Sequence, residues 1–530
     1  MSILDVNILN CHLFVIALIP KGNAQTSMRD WQPIALCNVL YKLISKVLAN
    51  RLKVILSKCI SDNQSAFVPG RSILDNIMAA IEVIHFIQTK TRGTDWYVAL
   101  KLDISKAYDI MDWEYLREVM VKMGFSNKWI HWISMCNESV DYSVIVNNEP
   151  IGPIIPGRGL RQGDPLYPYL FIMCAEGLSL LIRDAEIRGT ISRTRICRGA
   201  PAISHLLFAD DCFLFFRADE SEAQVMKDIL VTYETASGQA ISLPKSEFFC
   251  IRNVPDPLRN NLVSILGVQA VLGTSKYLGL PSMIGRNRSS TFVFIKDRVW
   301  QKINSWSSKC LSKVGREVMI KSVLQAIPSY VMSIFQLPAT LINTIEKMIN
   351  SFWWGHGRTN QREINWLSWE KLSMHKTNEG MGFEDLTTFN LAMLGKQGWK
   401  FLTEPNSLVS RLFKARYFLN NTYLTANIGH NPSYIWRSIL CARFIVRGSA
   451  RWSTSTGRSI PILGDPWVLN GECIATDIIG AHYVHHATVD NLMLPNEKRW
   501  NEMVVRQDLS ADLADKIMST PLVLMYRHIV

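Results

Sequence analysis

The period of the hydrophobic positions changes several times along the chain, and each change marks a structural element. Leu13-Phe-Val-Ile-Ala-Leu-Ile-Pro20 is an apolar run of strand length closed by proline. It begins almost at once, so no upstream domain is expected. Leu36, Leu40, Leu43/Ile44, Val47/Leu48, Leu52 and Ile55/Leu56 then recur at helical spacing, with Lys42, Lys46 and Lys53 on another face. After a Pro69-Gly70 turn, Ser72 and Asp75 form a capping-box pattern ahead of the stripe Ile73, Ile77, Ile81 and Ile84. From Trp96 the period falls to two: Val98, Leu100 and Leu102 alternate with Ala99, Lys101 and Asp103, predicting a half-buried strand that ends at Asp103. Residues 113–136 read as helix and 142–147 as strand. The glycine-rich loop Gly157-Arg-Gly-Leu-Arg-Gln-Gly163 runs into Asp164-Pro165, an N-cap and first-turn proline for a helix to about Glu186. Leu206 to Phe216 reads as a hairpin whose turn carries Asp210 and Asp211. Mixed strands and helices to about residue 250 predict an α+β unit.

Between Arg286 and Lys321 the character changes. Arg286, Arg288, Lys296, Arg298, Lys302, Lys309, Lys313, Arg316 and Lys321 face only Asp297 and Glu317, with Phe292, Phe294, Trp300 and Trp306 interleaved. Such a helix can hold a phosphate backbone, or it can be a solvated face over an aromatic core. From about 336 onward the chain is Trp-rich, helical at first and then irregular. His482, His485 and His486 have ligand-like spacing without a neighbouring cysteine and are not read as a metal site.

A chain of 530 residues is expected to make two to four packed units at roughly 100–200 residues each. Hydrophobic content of 48% with 19% charged residues excludes a disordered chain. No apolar run approaches the roughly 20 residues that span a bilayer, so no membrane partner is expected. The net charge of +12 favours a polyanionic partner, nucleic acid first. Eleven cysteines without a C-x-x-C pair argue against a disulfide framework or a thiolate zinc site and for a reducing compartment. With no secretory signal, an intracellular location is expected.

The chemistry centres on carboxylates. Asp103 ends a strand, and Asp210 with Asp211 crowns a hairpin far along the chain. Three converging carboxylates would repel by several kcal/mol per close pair at an effective dielectric of about 20, unless a cation such as Mg²⁺ lay between them. An Asp-Asp turn alone is more often a solvated surface turn. Here apolar arms on both sides would bury the hairpin and hold the turn on a rigid platform.

With this context the sequence closely resembles the reverse transcriptases of plant LINE-type (non-LTR) retrotransposons. The resemblance rests on Ile19-Pro-Lys21, Leu36-Cys-Asn-Val-Leu-Tyr-Lys42, Asn63-Gln-Ser-Ala-Phe-Val-Pro-Gly-Arg71, Leu102-Asp-Ile-Ser-Lys-Ala-Tyr-Asp109, Gly159-Leu-Arg-Gln-Gly-Asp-Pro-Leu166, Phe208-Ala-Asp-Asp211, Lys245-Ser-Glu247 and Tyr277-Leu-Gly-Leu-Pro281. Phe352-Trp-Trp-Gly355, Gly380-Met-Gly-Phe383 and Lys396-Gln-Gly-Trp399 resemble the family's C-terminal extension. The resemblance implies a right-hand polymerase, with fingers and palm over 12–285, a basic thumb over 286–335, and an extension over 336–530 that stops before the family's zinc-binding region. It also implies an RNA template, a DNA primer, dNTPs and two Mg²⁺ ions held by Asp103, Asp210 and Asp211, and a nuclear or cytoplasmic location. Tyr108 would gate the sugar, with a packed aromatic as its plain alternative. Gln162 and Gly163 would lie under the incoming nucleotide, and Lys21 and Lys245 near its triphosphate. Gln64 and Arg71 would meet the template, and Tyr277 to Gly279 the primer end. Arg161 would contact backbone phosphate or form an ion pair, and Lys302, Lys309 and Lys313 would track the duplex. Gln32 stands where the family usually has an Arg that holds the triphosphate. Ile110, Tyr167 and Ser242 also depart from its pattern. A catalytically inactive remnant that keeps the fold is the rival reading.

Overall fold

The computed structural model describes residues 13–522, apart from 23–25, 91–95, 148, 251–252, 271–275, 286, 308–310, 356–363, 455–456, 459, 464–465, 470–471, 475–486 and 496. Two units, Met1–Ile284 and Gly285–Val530, divide the chain. His482, His485 and His486 lie outside the described residues.

The strands of the first unit, in chain order, are β1 (Leu13–Pro20), β2 (Trp31–Leu36), β3 (Tyr97–Leu102), β4 (Ile104–Ser105), β5 (Asp141–Val146), β6 (Glu149–Ile154), β7 (His205–Phe208), β8 (Asp211–Arg217), β9 (Ala240–Ile241), β10 (Glu247–Cys250), β11 (Gln269–Ala270), β12 (Lys276–Tyr277) and β13 (Leu280–Pro281). The opening apolar run, β1, pairs antiparallel with β2 and parallel with β5, giving a four-stranded sheet in the order β2-β1-β5-β6. A five-stranded sheet, β11-β10-β3-β8-β7, holds β3 at its centre. Ala99 is buried along with Val98, Leu100 and Leu102, and Cys212 to Phe216 are all buried, so β3 and β8 are covered on both faces rather than half-buried. Helices Ile73–Thr89 and Glu220–Ser237 supply cover, the first against β3, β7 and β10 and the second against β8.

Helix Val39–Cys59 starts where the Asn38 side chain accepts the Tyr41 N–H, and it buries Ile44, Leu48, Leu52 and Leu56. Leu40, Leu43 and Val47 stay exposed, so its buried stripe is narrower than the spacing predicts. Ser72 caps helix Ile73–Thr89 by accepting the Leu74 N–H, as its sequence implies. The helix predicted over 113–136 is two, Trp113–Lys122 and Asn127–Glu138. Gly124 at φ 82° ends the first, and Ser126 caps the second. The helix after the glycine-rich loop starts at Tyr167, later than predicted, because Asp164 Oδ1 holds the Leu166 N–H at 2.9 Å in a turn before the helix.

In the second unit, helix Arg288–Ser307 buries Phe292 and Val299 and leaves Arg298, Trp300 and Lys302 in solvent. Helices Ala339–Trp354, Leu386–Thr403, Leu408–Tyr417 and Tyr434–Cys441 follow. Trp436 is fully buried and stacks on Tyr417 (4.7 Å, 5°) and Phe418 (5.6 Å, 20°). Phe383 stacks on Trp369 at 5.3 Å. A smaller core around Trp467 and Trp500 closes the unit.

Candidate active site

The site grows from the β7–β8 hairpin. Phe208 pairs with Asp211, leaving Ala209 and Asp210 as a two-residue turn, and Ala209 has φ 53°. A left-handed alanine costs roughly 1–2 kcal/mol, so the turn needs support. Gln64 provides it: its buried Oε1 accepts the N–H groups of Ala209 (3.2 Å) and Ala66 (2.9 Å). The chain on either side of Gln64 is laced to β7, Ser65 N–H donating to Leu207 O and Leu207 N–H to Asn63 O. Asn76 reaches the same Leu207 carbonyl at 2.8 Å and accepts the Tyr277 hydroxyl at 2.6 Å.

Asp103 arrives from the neighbouring strand. Leu102 pairs with Cys212, and continuing that register by one residue sets Asp103 opposite Asp211. Ser246 Oγ accepts the Asp103 N–H at 3.2 Å, and the Asp103 carbonyl accepts the Ser242 N–H at 2.7 Å. Lys245, exposed, puts Nζ 3.9 Å from Asp103 Oδ2. Burial, then the Asp103 charge, raises the pKa of Asp210. Asp211 is pushed up to about 6 by burial, then by Asp210, with Asp103 adding to the rise and Lys101 opposing it. Asp210 and Asp211 therefore feel the charges of their neighbouring carboxylates. No three Asp, Glu, His or Cys side chains among the described residues stand close enough to enclose an ion as they are. The donor set fits a hard divalent cation: all oxygen, anionic, and partly desolvated with charges that oppose one another.

Tyr108 stacks on Phe171 with ring centroids 4.4 Å apart, and burial and the Asp210 charge raise its pKa. It is therefore packed and also near the carboxylates. The glycine-rich loop lies beside it: Leu160 N–H donates to Tyr108 O at 2.6 Å, Gly159 N–H to Met111 O at 2.7 Å, and Ala35 N–H to Gln162 O at 3.1 Å. Gly159 (φ 96°) admits no side chain, because a Cβ would sit 2.5 Å from Asp109 O. Gly163, also left-handed at φ 99°, turns the chain against β2. Asp109, Ala35, Tyr142, Arg158 and Gln162 line a cleft of ≈ 180 Å³. Burial raises the pKa of Asp109, and the charges of Lys106 and the exposed Lys21 offset part of that rise.

Several expected contacts lie elsewhere. Gln64 is buried under the turn and cannot meet a template. Arg71 donates to the carbonyls of Ile60, Ser61 and Gln64 and pairs with Asp62 at 3.2 Å, so it braces the segment before it. Arg161 is buried among Phe14, Tyr41, Tyr142 and Tyr167, donates to Tyr142 Oη and Cys136 O, and lies 3.9 Å from Asp164; it is neither a phosphate contact nor a surface pair. Tyr277 is fully buried against Phe213 at 4.6 Å, while Gly279 stands exposed in the β12–β13 turn. Gln32 donates to Gln162 Oε1. Lys313 donates to Trp353 O at 3.1 Å and covers the Trp353 and Trp354 rings, closing the end of helix Ala339–Trp354. Lys302 is exposed, and Lys309 lies outside the described residues. Sequence reasoning passed over Asn76 and Ser246. The available signal for Asn76 was a polar residue inside an apolar helical stripe.

Residues 19–281 match the family model "Reverse transcriptase (RNA-dependent DNA polymerase)". Among curated proteins, "Transposon TX1 uncharacterized 149 kDa protein" of Xenopus laevis is 26% identical over 362 residues, covering 65% of this chain and 26% of that protein. The "Uncharacterized mitochondrial protein AtMg00310" of Arabidopsis thaliana is 34% identical over 146 residues, 27% of this chain and 94% of that one. The "Retrovirus-related Pol polyprotein from type-1 retrotransposable element R2" of Popillia japonica is 24% identical over 264 residues, 49% of this chain and 36% of that protein. The chain thus spans about a quarter of the TX1 protein and about a third of the R2 polyprotein. No described helix is long and apolar enough to cross a membrane. The α+β unit with its carboxylate hairpin, residues 19–281, is a reverse transcriptase domain of the non-LTR retrotransposon type.

Proposed function

We propose that this chain is the RNA-directed DNA polymerase core of a LINE-type element, extending a DNA primer on an RNA template by nucleotidyl transfer from dNTPs. The observation that carries this reading is the placement of Asp103 opposite Asp211 on adjacent strands, with Asp210 in the adjoining hairpin turn and Lys245 beside Asp103. Asp103, Asp210 and Asp211 would hold two Mg²⁺ ions. When bound, these supply Lewis-acid activation of the primer 3′-hydroxyl and charge neutralisation on the triphosphate. The remaining work falls to the chain itself. Lys245 and Lys21 bring positive charge to the triphosphate. Tyr108, held flat against Phe171, presents a ring edge at the sugar and excludes a 2′-hydroxyl. Gly159 and Gly163 let the loop backbone close on the nucleotide without a side chain between. The exposed Arg298, Trp300 and Lys302 form a basic face for the duplex. In domain terms, 12–285 serves as fingers and palm, 286–335 as thumb and 336–530 as extension.

The test is primer extension on an RNA template with Mg²⁺. Asp210→Asn should lower incorporation by at least about a thousandfold, since a missing ligand removes several kcal/mol of transition-state stabilisation. Equal activity in parent and variant would end the assignment. A folded parent with no incorporation would favour the inactive remnant.

A further inference from the structure

We propose that Gln32 is a positioning residue that acts through Gln162, fixing which edge of the Gln162 amide an incoming nucleotide meets. The inference rests on reading the Gln162 cleft as the nucleotide site. Three side chains distant in sequence form a row: Gln32 Nε2 donates to Gln162 Oε1, and Gln162 Nε2 donates to Asp109 Oδ1 at 3.4 Å. The direction of this row follows from chemistry. A carboxylate only accepts, so Gln162 must turn its nitrogen to Asp109 and its oxygen to residue 32, which must then donate. Burial raises the pKa of Asp109, and Lys106, Lys21 and the Gln162 amide each offset part of that rise in favour of the carboxylate. The Gln162 backbone is pinned to the same strand, its carbonyl accepting the Ala35 N–H at 3.1 Å. With backbone and amide both held, one N–H and one lone pair of Gln162 are left for a ligand in the cleft that Gln162 and Asp109 line.

Residue 32 therefore has to supply a donor, and Gln satisfies that need without a charge. Leucine there would remove the donor and leave Asp109 to orient Gln162. Glutamate would set an acceptor at each end of one amide, which cannot satisfy both with its nitrogen. Asparagine at 109 with glutamate at 32 would satisfy the row again, with the Gln162 amide reversed.

The experiment uses the full chain with a dideoxy-terminated primer on an RNA template, so that equilibrium binding of the matched dNTP is read without turnover. Thermal unfolding is followed in parallel for the parent, Gln32→Glu, Asp109→Asn and the double variant. Gln32→Leu should weaken dNTP binding about 3-fold and Gln32→Glu about 10-fold. The double variant should regain most of the melting temperature lost in Gln32→Glu but not the dNTP affinity. A merely structural role would restore both or neither. Equal weakening by Leu and Glu, or additive losses of melting temperature in the double variant, would overturn the proposal. A parent that binds no dNTP while the melting cycle still reverses would sink the cleft as a nucleotide site, and the positioning role with it. That outcome differs from a parent that binds dNTP but shows no reversal, which overturns the row alone.

Discussion

Asp211 carries a cost that the folded chain bears to keep its carboxylates together. Its pKa of about 6 lies above the ordinary value of 3.8, so the folded state holds this proton better than the unfolded one does. Stability contributed by the site is therefore complete below the unfolded value and is lost as pH rises through about 6. Asp211→Asn should raise the melting temperature of the metal-free protein at pH 7.5, by the equivalent of about 1–2 kcal/mol after allowing for solvent screening. The gain should vanish near pH 4. A constant difference across that range in calorimetry would place the effect outside the titration. Tyr108 meets a separate test at the same scale: Tyr108→Ala should admit ribonucleotides in primer extension and should also lower stability by about 3 kcal/mol as the stack on Phe171 disappears. Reduced stability with unchanged sugar discrimination would leave Tyr108 as packing alone.

At the level of elements, the small residues in the C-terminal motifs have a steric explanation. In helix Leu386–Thr403 a Cβ on Gly398 would fall 2.4 Å from the Tyr423 ring, while one on Gly395 would find only ordinary contacts at 3.8–3.9 Å with Val446 and Ile445. Two alanine substitutions one turn apart should thus act in opposite directions. Gly398→Ala should destabilise by about 1–3 kcal/mol through overpacking, and Gly395→Ala should stabilise by roughly 0.5–1 kcal/mol through helix propensity. Chemical denaturation of both variants checks the pair, and a shared sign would contradict the packing around Tyr423. The same logic explains Gly380, whose Cβ would meet Met374 O at 2.0 Å. These glycines stand in motifs that contain no catalytic group because the packing leaves no room for a side chain.

For the whole molecule, the charge of +12 divides into residues that face solvent and residues used internally. Lys302 and Arg298 are exposed on helix Arg288–Ser307, whereas Lys313 and Arg316 donate to the last turn of helix Ala339–Trp354. Replacing Lys302 and Arg298 with Gln should flatten the salt dependence of template–primer binding by up to about 0.9 log units for each phosphate no longer neutralised. Lys313→Gln should leave that slope unchanged and lower the melting temperature instead. Binding titrations from low to moderate salt separate the two, and an altered slope for Lys313→Gln would return it to the nucleic-acid face.

The sequence alone determined the elements whose periodicity is local. β1 appears with its predicted ends, Ser72 caps the helix it was expected to cap, and the Asp210-Asp211 hairpin forms between apolar arms. These depend on spacing and on short-range hydrogen bonds, which neighbouring residues dictate. It also placed Asp103 at a strand end, but only antiparallel pairing in a shared register set it opposite Asp211. Tertiary structure alone decided the fate of long polar side chains. Gln64, Arg71, Arg161 and Lys313 look in sequence like hands for nucleic acid, yet each is held by backbone carbonyls, backbone N–H groups or aromatic rings, in the segment just before it for Arg71 and on other elements for the rest. A buried donor or acceptor must find a partner, and for a side chain of this length the partner can come from any element packed nearby. The same freedom joined Gln32, Gln162 and Asp109, a row that exists only once β2, the glycine-rich loop and the end of the Asp103 segment pack together.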